Sequence, residues 1–260
     1  MRRPATAKQL KETFPSPHPV TILQDENLRG VKEADVVLLG CKPAHLNDIL
    51  QASGIREALK GKLLMSILAG VPISQIEEIL YGTVSNKDTD PESRCRVVRV
   101  LPNTASLVRE SMTVIGTSTP PLPDSQAALI TWIFTRIGRV VHLPPSVFDA
   151  STALCGSGPA FFALILEAIT DGAVAMGLPR ADAQYMAAQT MRGTSALVLN
   201  GEHPALVREK VGTPGGCTMG GLMVLEEGNA RGTMARAVRE ATVIASQLGK
   251  GVQNVNGTRF

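Results

Sequence analysis

Aromatic side chains are scarce in this chain of 260 residues: one Trp, two Tyr and six Phe make up 3% of it. So few rings leave no platform on which nucleic-acid bases could stack. A charge excess is missing too. The 26 Lys and Arg against 23 Asp and Glu give a net charge of +3, too small to argue for a polyanionic partner. The four histidines, at 18, 45, 142 and 203, are scattered, and none has the i,i+4 ligand partner that metal sites usually carry. No metal is therefore expected. Cys41, Cys95, Cys155 and Cys217 lie far apart without C-x-x-C spacing, so reduced thiols in an intracellular protein are expected rather than a disulfide framework. No uninterrupted apolar run approaches the ~20 residues that cross a bilayer, and no membrane span is expected. The opening Met1-Arg2-Arg3-Pro4 is basic, with no acidic residue before Glu12, a faint likeness to a transit peptide. Cytoplasmic residence is the expectation, with mitochondrial import as the alternative.

What the chain does contain is apolar residues, 44% against 19% charged, enough for one large core or two modest ones. In the first half, short apolar runs alternate with helix-period segments. Ala34 to Gly40, Leu63 to Gly70 and Arg96 to Pro102 are β-branched or continuously apolar, as buried parallel strands are. Leu46 to Leu59 and Ile73 to Leu80 between them read as helices. The alternation predicts a parallel sheet with helices on its faces, and ligands on such sheets sit beyond the strands' carboxyl ends. Cys41-Lys42-Pro43, Ala69-Gly70 and Asn103-Thr104 fall there. Ser111 to Ser118 suggests a further strand, Ser125 to Ile137 a helix and Arg139 to Leu143 a last strand. Gly82 to Arg94 is polar and breaker-rich, an exposed loop expected to carry no function.

Beyond Val147 the strand pattern stops. Pro159 to Met176 is apolar nearly all round, which demands cover on every side. The remaining helices are too few to supply it, so a partner subunit is expected. Ser157 or Gly158 could cap this helix, with Pro159 at its first position. Ala181 to Leu199 and Met234 to Leu248 read as further helices. The boundary is placed at 146/147: residues 1–146 form a dinucleotide-binding domain and 147–260 an all-helical one.

The densest motif is Val211-Gly212-Thr213-Pro214-Gly215-Gly216-Cys217-Thr218, running into Met219-Gly220-Gly221-Leu222 and on to Leu225-Glu226-Glu227-Gly228. Glycines let a ligand approach the main chain. A helix starting there would turn free N–H groups and its positive end toward a carboxylate or phosphate. A tight loop before a helix is the plainer alternative.

This segment resembles the signature of pyrroline-5-carboxylate reductases. Gly40-Cys41-Lys42-Pro43, Val100-Leu101-Pro102-Asn103-Thr104, Leu154 to Ala160, Gly177-Leu178-Pro179-Arg180 and Ala188-Gln189-Thr190 agree in the same order. The resemblance implies a truncated Rossmann-like parallel sheet (α/β, then all-α) followed by a helical dimerisation domain. It also implies reduction of 1-pyrroline-5-carboxylate to L-proline by hydride from NADPH, or NADH, in a homodimer or ring of dimers. Thr218 resembles the family's hydroxyl at the imine nitrogen, a plain helix cap being the compatible alternative. Thr213, Gly215, Gly216 and Cys217 resemble, with Thr218, its carboxylate cradle. Asn27, Cys41, Lys42, Pro43, Ala69 and Asn103 match positions around the cofactor, and Arg2-Arg3 matches a basic pair that can hold a 2′-phosphate. Cys155 stands where the family usually has Ser.

The family's opening strand and glycine-rich phosphate loop find no counterpart. The chain as written is therefore expected to bind no cofactor by itself, with Val36 to Leu39 at an open edge and Val20 to Leu23 unattached. Two other readings stay open: a catalytically silent relative assembling with full-length subunits, and a reductase of other imines or of 2-keto acids.

Overall fold

The computed structural model describes residues 4–15, 17, 19–82, 94–118, 120–249 and 252. Arg2, Arg3 and most of the expected loop at 82–94 lie outside them. The chain divides into two units. The first holds the described residues up to Asp149 together with those from Ala245 onward, and the second holds Ala150–Ile244.

The first unit is a sheet of five strands in the order β1 (Val36–Leu39), β2 (Leu63–Ser66), β3 (Arg96–Leu101), β4 (Ser111–Gly116) and β5 (Gly138–Leu143). The first three are parallel, with Val36 opposite Leu63 and Leu63 opposite Arg96. The expectation of a parallel sheet needs correction beyond β3. Strand β4 runs antiparallel to β3, with Val100 opposite Ile115, and β5 runs parallel to β4. The reason is length: residues 102–110 are too few for a crossover, which takes about a dozen or more. They form a 3₁₀ turn, Thr104–Val108, ending in a left-handed Arg109 that sends the chain back. Leu143 is followed directly by Pro144 and Pro145, still within the first unit.

Alternation along β3 divides the core between two faces. Val97 packs in one cluster with Leu39, Leu46, Ile55, Leu64, Ile76 and Leu80, beneath α3 (Leu46–Leu50), α4 (Ile55–Leu59) and α5 (Ile73–Tyr81). Val98 and Val100 pack in the other with Met65, Ile115, Ile130 and Phe134, under α6 (Asp124–Thr135). The single helix expected over 46–59 is broken at Gly54, whose left-handed backbone a side chain would disfavour and beside which Leu28 packs.

Helices α1 (Pro4–Thr13) and α2 (Asn27–Glu33) had no clear apolar period to announce them. Lys62 Nζ donates to the carbonyls of Val31, Lys32 and Ala34 at 2.5–3.0 Å, a cation on the C-terminal end of α2. Val20 to Leu23 is not a strand. Among the described residues, strand β1 therefore has β2 as its sheet neighbour on one side and an open edge on the other, and its Leu38 is 52% exposed.

The second unit is helical: α8 (Gly158–Ala175), α9 (Arg180–Leu199), α10 (Pro204–Val211), α11 (Cys217–Glu227) and α12 (Ala230–Gly249), whose last turn joins the first unit. Helices α8 and α9 both stop in a left-handed glycine, Gly177 and Gly201. In each case the next N–H reaches back to a carbonyl of the last turn, Leu178 to Ala173 and Glu202 to Leu197.

One expectation fails here. Ser157 does not cap α8, because the helix runs in from Pro145 through α7 (Phe148–Ser151) and a π-helical stretch, Thr152–Ser157. The wider turn lets Pro159 sit in a continuing helix, where its ring would otherwise meet the carbonyl four residues back. The continuous helix Pro145–Ala175, which holds an 18-residue stretch of mean hydropathy 1.6, is long and apolar enough to cross a membrane by length and composition alone, a test that the core helix of a soluble protein also passes.

Candidate active site

Parallel β1, β2 and β3 bring their carboxyl ends to one edge, and the sequence-marked residues follow them. Cys41, Lys42 and Pro43 follow β1, Ala69 follows β2, and Asn103 follows β3. Lys42 and Ala69 are exposed, while Cys41 and Asn103 are half-buried. The Asn103 side chain is fixed: its Oδ1 accepts from Ala105 N at 3.1 Å, and its backbone N–H donates to Ser111 Oγ at 3.1 Å. Asn27, at the head of α2, shares with Gly40 and Cys41 a groove of about 520 Å³ that runs along the open edge of β1. Burial pushes the Cys41 thiol up, so it is no ready nucleophile. An exposed ammonium and a fixed carboxamide beyond parallel strands suit the phosphate and amide groups of a dinucleotide. Arg2 and Arg3, the candidate 2′-phosphate pair, lie outside the described residues.

The other set is in the second unit. Thr213 to Gly216 form a tight turn, closed by Gly216 N–H to Thr213 O at 3.0 Å, with Pro214 at its second position and left-handed Gly215 at its third. A side chain on Gly216 would lie 2.4 Å from Thr213 Oγ1 and 3.1 Å from Thr213 O, so it would have to displace that hydroxyl. Gly216 is the N-cap of α11 and offers no side chain to it. Cys217 and Thr218 occupy the first turn, ahead of the Met219 N–H bond to Gly216 O, where helical N–H groups have no intrahelical acceptor. Thr218 is half-buried inside that turn, so a simple cap role for it is not what the backbone shows.

Sequence reading passed over what braces the turn. Glu226 of α11 takes Arg231 of α12 at 2.5 Å and Arg208 of α10 at 3.7 Å. The bond from Arg231 holds the Glu226 carboxyl below its usual range. One carboxylate of α11 thus ties α10, which leads into the turn, and α12, the next helix, to the helix that follows the turn. Spacing alone could not have paired these residues. Among the described residues no cluster of three His, Cys, Asp or Glu could hold a metal ion.

Residues 145–248 match the family model for pyrroline-5-carboxylate reductase dimerisation, and residues 1–70 that for NADP oxidoreductase, coenzyme F420-dependent. A pyrroline-5-carboxylate reductase of Lophium arboricola is 65% identical over 261 residues, spanning 100% of this chain and 81% of the relative. The chain belongs to the pyrroline-5-carboxylate reductase family. Its relative of the same name in Neurospora crassa is 56% identical, over 94% of this chain and 76% of the relative. The crystal structure of Plasmodium falciparum pyrroline carboxylate reductase with NADP bound superposes with a TM-score of 0.77 at 27% identity, over 90% of this chain and 85% of that one.

Proposed function

We propose that this reductase-family chain converts 1-pyrroline-5-carboxylate to L-proline, the last step of proline biosynthesis, using NAD(P)H. The observation that carries the reading is the Thr213–Thr218 turn. A left-handed Gly215 and a Gly216 whose side-chain position is taken up by the Thr213 hydroxyl bare the main chain at the head of α11, where a carboxylate is favoured. Thr218, one residue into the helix, places its hydroxyl at the ring nitrogen, where the new N–H forms. Asn27, Cys41, Lys42, Pro43, Ala69 and Asn103 hold the dinucleotide beyond the strand ends. When bound, NAD(P)H supplies the hydride that adds to the C=N carbon. The protein's own part is to orient the imine, donate to its nitrogen and keep its carboxylate fixed. Arg2 and Arg3 are assigned to the 2′-phosphate, which favours NADP, and a strand with a glycine turn is assigned to the open edge of β1.

The chain works as a homodimer, and by family resemblance as a ring of dimers. Phe162 and Leu164 of α8 stand 53% and 65% exposed, and an apolar groove of about 560 Å³ runs between α8 and α9. A second copy covers these surfaces, and the match of residues 145–248 to a dimerisation model supports it. The four thiols, none of them in a disulfide, fit residence in the reducing cytoplasm.

The test follows NADPH absorbance with purified protein and either 1-pyrroline-5-carboxylate or 2-keto acids. Oxidation dependent on the imine is expected; turnover of keto acids without the imine would replace this reading.

A further inference from the structure

Strand β4 opens with two hydroxyl residues where a buried strand ordinarily carries apolar ones. Ser111 is 2% exposed and Thr113 fully buried, and, two residues apart, they share one face of the strand. Ser111 Oγ and Thr113 Oγ1 lie 3.2 Å apart and share a hydrogen bond. Ser111 Oγ also accepts the backbone N–H of Asn103 at 3.1 Å. The main-chain register of β3 and β4 pairs Val100 with Ile115 and Leu101 with Val114, and two residues beyond Leu101 a β4 side chain receives the Asn103 N–H. Every residue concerned belongs to the first unit.

The Ser111 end of this bond is the fixed one. Its own N–H donates to Ile137 O at 2.9 Å, and it pairs with Gly138 at the start of β5. Gly138 comes so close that a side chain there would lie 2.1 Å from Ser111 O. The Asn103 end starts the Thr104–Val108 turn, whose Leu107 and Val108 are exposed, and Asn103 Oδ1 holds that turn through Ala105 N. A buried hydroxyl anchored in the sheet thus fixes the residue from which the turn begins. An apolar side chain at 111 would bury as well without the cost of desolvating a hydroxyl, so what the hydroxyl adds is its hold on Asn103. We propose that Ser111 is a positioning residue for the cofactor, holding Asn103 where it meets the dinucleotide and so setting cofactor affinity without touching the cofactor itself. The inference rests on the assignment of Asn103 to the cofactor made above. An Asn103 in place only part of the time lowers the apparent affinity by that fraction.

Two readouts on the full chain test this: amide hydrogen exchange across residues 102–110 without cofactor, and steady-state kinetics with NADPH and 1-pyrroline-5-carboxylate. Ser111→Ala should speed exchange in that segment and leave β1 and β2 as they were. Its KM for NADPH should rise about fivefold, the equivalent of one neutral hydrogen bond, with kcat unchanged. Ser111→Thr keeps the hydroxyl and should keep both the slow exchange and the KM. Tyr81→Phe loses a comparable bond to Cys95 at the opposite end of β3 and should leave the KM for NADPH as it was, which separates positioning from stability. An unchanged KM for NADPH in Ser111→Ala would overturn the proposal, as would unaltered exchange, a fall in kcat alone, or an equal rise of KM in Tyr81→Phe. Absence of imine-dependent NADPH oxidation by the unchanged chain would instead overturn the reading on which the proposal rests, an outcome distinct from an active chain indifferent to Ser111.

Discussion

The sheet unit and the helical unit dispose their apolar side chains in opposite ways. In the sheet unit Leu46, Ile55, Leu64, Ile76, Val98, Val100, Val114 and Ile130 are all buried by the chain's own helices and strands. Each contributes about 1.5–3 kcal/mol by leaving water. Between Ala150 and Ile244 the fully buried residues are Ser151, Ala153, Gly158, Thr170, Ala183 and Val207, nearly all small. The large ones, Phe162, Leu164, Ile169, Met186, Leu197, Leu199 and Leu225, stay exposed. Two helix layers on a sheet enclose a core by themselves. Long helices with an apolar circumference enclose one only when other helices complete the surround. The sheet unit has its own open place, the edge of β1, but there it is backbone as well as apolar surface that is unmet.

The largest effect tests that edge. Adding a strand and a glycine turn ahead of residue 1 should tighten NADPH binding, since about three charge-assisted N–H bonds contribute roughly 5–9 kcal/mol together. Fluorescence titration checks it, and unchanged affinity would mean that the pyrophosphate is held elsewhere. Next, Phe162→Asp puts a charge on the uncovered face of α8. Light scattering should find the unchanged protein as a dimer or larger and the variant as a monomer, a loss of about 4 kcal/mol or more. A soluble wild-type monomer would erase the contrast between the units.

Leu64→Ala should leave the oligomer intact yet lower stability by about 2–5 kcal/mol in urea unfolding, because its cavity opens in a core that one chain completes. Thr218→Val keeps shape and removes the hydroxyl, so kcat should fall by about 10²–10³, roughly 2.7–4 kcal/mol. A rise in KM alone would reassign Thr218 to substrate binding.

The smallest effect lies at Tyr81, whose hydroxyl donates to Cys95 Sγ at 3.2 Å and accepts from Cys95 N at 2.9 Å. Burial first, then the bond to Cys95, pushes this phenol above its ordinary value. The fold favours its neutral form. Its contribution is therefore full below about pH 10, the usual phenol value, and lost as pH rises through the higher folded one. Tyr81→Phe should cost about 1 kcal/mol at neutral pH and flatten the alkaline fall in stability.

Particular residues mark how far the chain could be read in advance. The β-branched runs at 36–39, 63–66 and 96–101 are strands because buried parallel strands need apolar residues on both faces, a property written in consecutive positions. Thr213-Pro214-Gly215-Gly216 makes its turn because proline and glycine restrict or release φ locally, without help from elsewhere. These features, and with them the places of Cys41, Lys42, Pro43, Ala69 and Asn103 after the strands, were legible in consecutive residues. The reversal of β4, the passage of a helix through Pro159, the clasp of Arg208 and Arg231 on Glu226, and the hold of Ser111 on Asn103 were not. Each depends on where distant segments come to rest: burial, pairing and desolvation belong to neighbours in space, and the tertiary structure alone chooses them.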